Sequence, residues 1–156
     1  MSRAVLDLRQ RAFVGAARTA TLATIAPDGR PRLVPVCFVL SDPDDDFGRP
    51  VIHTPLDEKQ KRSLDLRRLA RVRDILERPE VTLLVHRWSE DWAHLAWVRI
   101  SGGARLLEPD ADHAREHAAA LAALREKYPQ YRDHALEERP MIRIAVERAL
   151  GWGALD

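Results

Sequence analysis

The sequence predicts a mainly β protein with α additions, a six-stranded antiparallel barrel in one domain over residues 1–156. Three observations carry this. Six short runs rich in β-branched and apolar residues are separated by turn signals. Successive strands precede the first internal helix with no crossover between them. Helical patterns then fall among the strands without the regular alternation of a doubly wound sheet.

Taken in order, Ser2 can cap a first helix over residues 3–16, with Val5, Leu8, Ala12 and Ala16 along one face. TATLATI, residues 19–25, alternates and is rich in threonine, the mark of a strand. PDGR, residues 27–30, is a tight hairpin turn. RLVPVCFVL, residues 32–40, follows as a strand whose near-continuous hydrophobicity implies burial on both faces. Pro35 in its middle cannot donate a ladder hydrogen bond, so it needs an edge, a bulge or a ligand-facing position. The polar turn SDPDDDFGRP lacks the spacing and the terminal glutamate of a calcium loop.

PVIHT, residues 50–54, is a third strand. A second helix is expected over 63–77, with Leu66, Leu69, Val72 and Leu76 facing inward and Pro79 as its stop. VTLLVHRW is the fourth strand. The fifth, WAHLAWVRISGGARLLE, is interrupted by Gly102 and Gly103, which mark a bulge or sharp bend. Asp110 or Asp112 caps a third helix over 111–127, carrying Ala119, Ala123 and Leu124. The last strand is MIRIAVERAL, residues 141–150, with GWGALD as a tail.

A net charge of +1, with acids interleaved among the arginines, argues against a nucleic-acid partner. The charged N-terminus does not suit a signal peptide, and no apolar run approaches the ~18 residues of a membrane span, so a cytoplasmic protein is expected with no membrane partner. The one cysteine, Cys37, excludes an intrachain disulfide and reads as a buried, inert thiol.

No catalytic triad, dinucleotide fingerprint or P-loop is present, so no catalytic residue is assigned. No metal site is expected: His113 and His117 are four apart on a helix but read as a solvated pair. Lysine is rare, three against 22 arginines, yet Lys59 and Lys61 stand beside Arg62 between a strand and a helix. Such a turn can hold a phosphate or be simply a solvated surface. The third lysine, Lys127, serves as their comparison. His53, on the strand end before that turn, is either an edge-packing residue or part of the site. Of Trp88, Trp92, Trp97 and Trp152, at least two are expected in the core. Alternation puts Leu95, Trp97 and Arg99 on one strand face, suited to a planar anionic ligand or to a structural stack. These ingredients suit a phosphorylated planar cofactor that carries the chemistry itself.

Three segments, TATLATIAPDGRPRLVPVCF, VIHTPLDEKQKRSLDLRRLARVRDILERPEVTLLV and EDWAHLAWVRISGGARLLE, resemble the flavin- and deazaflavin-dependent split-barrel superfamily. That superfamily includes pyridoxamine phosphate oxidase and the coenzyme F420-dependent oxidoreductases. The resemblance covers about residues 10 to 152, and the third segment is similar to an actinobacterial F420-oxidoreductase subgroup. It implies a six-stranded split β-barrel of the FMN-binding type, paired as a homodimer with two cofactor sites at the interface. It also implies that the strand Arg32, Leu33, Val34, Pro35, Val36 and Cys37 lies along the cofactor ring. His53, Thr54, Lys59, Lys61 and Arg62 match the phosphate-holding positions. Trp97, Arg99 and Trp152 are candidates for completing the site across the interface, and Arg67 or Arg68 for the anionic tail of F420. The implied activity is hydride transfer to an unsaturated or conjugated small molecule. The alternatives are an FMN-dependent oxidoreductase and a flavin-, F420- or haem-type binding protein without turnover. The arginine-rich C-terminal substrate motif of pyridoxamine phosphate oxidases is not matched, and the FMN-binding pattern is incomplete.

Overall fold

A computed structural model describes residues 3–56 and 65–156. Among the described residues seven strands form one antiparallel sheet: β1 (Ala20–Ile25), β2 (Pro31–Val36), β3 (Val39–Ser41), β4 (Val51–Pro55), β5 (Glu80–Arg87), β6 (Ala96–Leu107) and β7 (Met141–Gly153). Their order is β2-β1-β5-β6-β7-β4-β3. The two edge strands, β2 and β3, are therefore consecutive in the chain and separated by only Cys37 and Phe38. The sheet must curl until its edges approach, and it stays open along that seam. This is the antiparallel split barrel the sequence predicts, with seven strands rather than six because the run 32–40 is two strands.

That run is also less buried than its composition implies. Leu33 is 66% exposed and Pro35 is exposed, because β2 is an edge with one face toward solvent. Pro35 thus takes one of its expected places, opposite Thr21 on the paired side. The glycine pair also behaves as expected. The β6–β7 register shifts between Ser101 and Gly102, leaving Glu147 as the extra residue. A methyl on Gly102 would overlap the Ala145 carbonyl, so the strands can approach there only without a side chain.

The helices depart from expectation in extent and facing. The first, α1, is Leu8–Ala16, capped by Asp7 in a reciprocal box with Gln10, so the helix starts well after residue 3. It buries Phe13 and Val14, while Leu8 is 86% exposed and Ala12 and Ala16 face solvent. The second begins as a 3-10 turn, Leu66–Arg68, and continues as α2, Ala70–Glu77. Leu69, Val72 and Ile75 are buried there, and Leu76 is not. The third, α3, is Ala114–Lys127; it buries His117, Ala120, Leu121 and the expected Leu124, with Ala123 packed against them and Ala119 exposed. Asp110 accepts from the His113 amide at 3.1 Å just before it. Trp92–His94 form a 3-10 turn ahead of β6, and β7 runs on through Trp152 to Gly153.

The barrel interior is filled by one apolar cluster that includes Leu22, Val36, Phe38, Ile52, Leu83, Val98, Ile100, Ile144 and Val146. A smaller cluster joins α3 to Val39, Leu107, Tyr128, Tyr131 and Met141. With its interior packed by side chains, the barrel offers a ligand its outer surface and its seam.

Candidate functional site

The seam is held by polar contacts that periodicity does not reveal. The Thr54 hydroxyl donates to the Cys37 carbonyl at 2.7 Å, joining β4 to the gap between β2 and β3. The Phe38 amide donates to the Tyr128 hydroxyl at 3.1 Å, and that hydroxyl lies 3.0 Å from the carbonyls of Phe38 and Arg18. Lys127 donates to the Phe38 carbonyl at 2.9 Å with its ammonium 4.1 Å from the Phe38 ring centroid. Burial, helped by the nearby Arg18 charge and opposed by Cys37, brings its pKa down to about 8. The lysine offered as a neutral comparison is therefore embedded in the seam. Cys37 itself is a free thiol, partly rather than fully buried.

The candidate residues of β2 divide by face. Directly opposed residues of antiparallel strands share a face. Val34 is level with Leu22, Leu83 and Ile100 and points into the core. Val36 is buried with it. Arg32, on the same face at the barrel's end, donates to Asp74 of α2 at 2.8 Å. Thr24 donates to the same carboxylate oxygen at 2.7 Å. Burial alone would raise the pKa of Asp74, but the hydrogen bonds from Arg32 and Thr24 and the Arg32 charge outweigh it and leave it below the usual range.

Leu33 and Pro35 point outward. Pro35 is level with Thr21, Leu84, Arg99 and Leu150 across five strands. The adjacent row on that face is His86, Trp97 and Trp152. The Arg99 guanidinium carbon lies 5.5 Å from the Trp97 ring centroid. Leu150 and Trp152 are 52% and 53% exposed, and Leu84 is 36% exposed. The outer sheet face is thus a broad apolar and aromatic surface carrying a guanidinium. It corrects the expectation that at least two tryptophans are core, since Trp88, Trp92 and Trp152 are exposed and Trp97 is only partly buried. Leu95 precedes β6 and caps the 3-10 turn.

His53 and Thr54, adjacent in β4, face opposite ways. His53 is 2% exposed and faces α3. Its Nδ1 lies 2.6 Å from the Ser41 hydroxyl and its Nε2 lies 3.0 Å from Glu116 Oε2. Burial lowers the pKa of His53 against the pull of Glu116. The neutral ring donates from Nε2, because an ionised carboxylate only accepts, and its Nδ1 accepts a hydrogen bond from the Ser41 hydroxyl. Arg143 donates to the same Glu116 at 3.1 Å. Burial would raise Glu116, but the His53 hydrogen bond and the Arg143 charge hold it below the ordinary value. Glu116 and Arg143 also line a 520 Å³ cleft with Arg49, Arg105 and Glu147.

His117 is 3% exposed and donates from Nε2 to the Arg139 carbonyl at 2.7 Å, so it is a core histidine and not half of a solvated pair. Among the described residues no group of three His, Cys, Asp or Glu stands ready for a metal. Lys59, Lys61 and Arg62 lie outside the described residues. Arg67 pairs with Glu108 at 2.6 Å and with Asp65 at 3.2 Å, and Arg68 is exposed. No described helix is long and apolar enough to cross a membrane.

An antiparallel sheet that curls round a packed core and stays open at one seam defines a split-barrel protein. More narrowly, the chain matches the pyridoxamine 5'-phosphate oxidase family over residues 6–153 and belongs to it. No curated protein matches it. Among solved structures it is similar to the conserved hypothetical protein Rv2991 of Mycobacterium tuberculosis, with 22% identity, 98% of this chain and 89% of that chain covered, and a TM-score of 0.70. A heme binding protein of Mycobacterium smegmatis aligns with 20% identity over 99% of this chain and 55% of its own, with a TM-score of 0.60. A FAD-binding protein of Mesorhizobium loti aligns with 19% identity over 90% and 87%, with a TM-score of 0.54.

Proposed function

We propose that this chain is an oxidoreductase that uses coenzyme F420 as its hydride carrier and works in the cytoplasm as a homodimer. The observation that carries the reading is the outer sheet face, where Pro35, Leu84, Trp97, Arg99, Leu150 and Trp152 meet across five strands. A planar, anionic ring system suits that surface: aromatic faces for stacking, a guanidinium for charge, and an edge strand whose backbone lacks a strand partner on one side. A second copy laid on the same face would cover the apolar rows and enclose the ring.

In this reading the segment from Arg32 to Cys37, which is β2 and the residue after it, borders the ring. Thr54 fixes the Cys37 carbonyl at the end of that strand. Lys59, Lys61 and Arg62, which follow β4 in the chain, neutralise the phosphate, and Arg68 faces the anionic tail. Trp97 and Trp152 exclude water, and Arg99 holds an acidic edge. The bound deazaflavin supplies the hydride for an unsaturated or conjugated substrate, so the protein's task is to bind, orient and shield.

Fluorescence titration with F420 and with FMN tests the reading. F420 binds at micromolar concentration or below, and Lys59→Ala and Lys61→Ala each weaken it by about ten- to hundredfold. Arg30→Ala, at a solvated turn, leaves it unchanged. FMN binding without F420 binding would overturn the cofactor choice. Haem binding without turnover is the second reading, favoured by His86 beside Trp97 on the outer face; a haem-dependent absorbance band lost in His86→Ala would select it.

A further inference from the structure

We propose that Lys127 is a nucleophilic amine that takes small anionic aldehydes as imines, with Arg18 meeting the anionic group. Three observations combine. Lys127 is partly buried at the seam, its ammonium against the Phe38 ring at 4.1 Å and the Tyr128 ring at 5.3 Å. Among the described residues its ammonium makes one hydrogen bond, to the backbone carbonyl of Phe38, and forms no ion pair with a carboxylate. A second cation stands beside it: the Arg18 guanidinium lies 4.8 Å from the Tyr128 ring centroid and donates to the Lys127 carbonyl at 2.7 Å.

An ammonium partly withdrawn from water, with no counterion and with a neighbouring guanidinium, loses its proton more readily than a solvated one. The groups that face it are Arg18 from the α1–β1 link, Cys37 from the β2–β3 link and Tyr128 at the end of its own helix. Cys37, the Phe38 carbonyl and the two ring faces act to hold the proton, and burial and the Arg18 charge act to release it. The Phe38 carbonyl retains the Tyr128 hydroxyl nearby at 3.0 Å, so the amine can turn away from it without stranding a buried acceptor. Arg18 is exposed and also borders a 390 Å³ pocket with Phe13, His86 and Arg87, so an anion has a route to it.

The chemistry is closed. The ammonium first gives one proton to solvent. The amine lone pair then forms a bond to the aldehyde carbon. The carbonyl oxygen leaves as water with the two remaining N–H hydrogens, and a C=N bond remains. Nothing is oxidised or reduced, and the step reverses by hydrolysis. This reaction is independent of the redox cofactor.

The test uses the intact protein, glyoxylate as the anionic probe and cyanoborohydride to trap the imine. Because the chain has three lysines, peptide mapping reads each separately. A lysine near 8 holds far more neutral amine at pH 7.5 than one at ~10.4, and its weaker basicity takes back part of the gain. Lys127 is therefore trapped about tenfold faster than Nα-acetyl-lysine amide in the same tube, and its rate levels off above about pH 8. With each rate taken relative to the same aldehyde's rate on Nα-acetyl-lysine amide, propanal, which carries no charge, favours Lys127 less than glyoxylate does, and Arg18→Ala removes that difference. Labelling no faster than Nα-acetyl-lysine amide, or a rate still climbing at pH 10, overturns the proposal. Equal relative rates for propanal and glyoxylate overturn the role of Arg18.

Discussion

The Thr54 hydroxyl donates to the Cys37 carbonyl at 2.7 Å, and this one bond spans the place where the barrel's two edges meet. Thr54 is 1% exposed, so its hydroxyl has no water as an alternative partner. Thr54→Val keeps the shape and strands the carbonyl, which costs roughly 1–3 kcal/mol. Urea unfolding of the two proteins measures the difference. An unchanged midpoint would mean that the seam is held by packing alone.

Asp74 binds Arg32 and Thr24 together at the far end of the barrel. Asp74→Ala removes both hydrogen bonds and loses about 2 kcal/mol at pH 7, a figure kept modest because Arg32 is 40% exposed. The carboxylate's pKa is lowered in the fold, so its contribution is complete above the ordinary 3.8 and disappears as pH falls through the folded value. The stability gap between wild type and variant narrows below about pH 4; a gap constant from pH 7 to pH 3 contradicts this account.

Gly102 and Gly103 look alike in sequence and should differ sharply on substitution. A methyl at Gly102 overlaps the Ala145 carbonyl, whereas at Gly103 the nearest atom is Glu147 Oε1 at 3.7 Å. Gly102→Ala loses at least about 2 kcal/mol through overpacking, and Gly103→Ala stays within roughly 0.5 kcal/mol. Parallel thermal melts decide between them.

The outer face predicts the assembly. Leu150, 52% exposed, stands in the row with Leu84 and Arg99. Wild type sediments as a pair at micromolar concentration, and Leu150→Glu as a single chain with an unchanged circular dichroism spectrum. A single-chain wild type removes the dimer from the reading.

Lys127 gives the same sign of pH slope as Asp74, but at neutral pH it costs stability where Asp74 adds it. Its folded pKa, about 8, lies below the ordinary 10.5, so the unfolded chain holds the extra proton between those values. Stability relative to Lys127→Met therefore rises as pH increases from 8 to 10.5. The variant is the more stable protein at pH 7, and its advantage shrinks through that window. An advantage that grows with pH refutes the sign.

Much of this fold is legible in the sequence because strand periodicity and turn chemistry are local. TATLATI, PDGR and the glycine pair each state their structure within a few residues. The break at Cys37 and Phe38 is not local: an apolar run remains apolar when its pairing partner changes from β1 to β4. The helix faces slipped for a different reason. In α3 the stripe His117, Ala120, Leu121, Leu124 has helical spacing, and it is hidden only if histidine is counted as polar. Lys127 was unreadable because burying a lysine requires carbonyls and rings from distant segments. The outer face was half visible: alternation paired Trp97 with Arg99, while only the register of β7 brings Trp152 and Leu150 beside them.

The seam has one more consequence, for how copies of this protein can meet. An open sheet edge ordinarily invites a strand from another molecule and, with it, runaway polymerisation. Here neither edge is a usable template. β3 is three residues long, and β2 carries Pro31 and Pro35, each without an amide hydrogen to give. The barrel can therefore remain unzipped without seeding fibres. Contact between copies is left to the faces, where a two-fold pair closes on itself and growth stops.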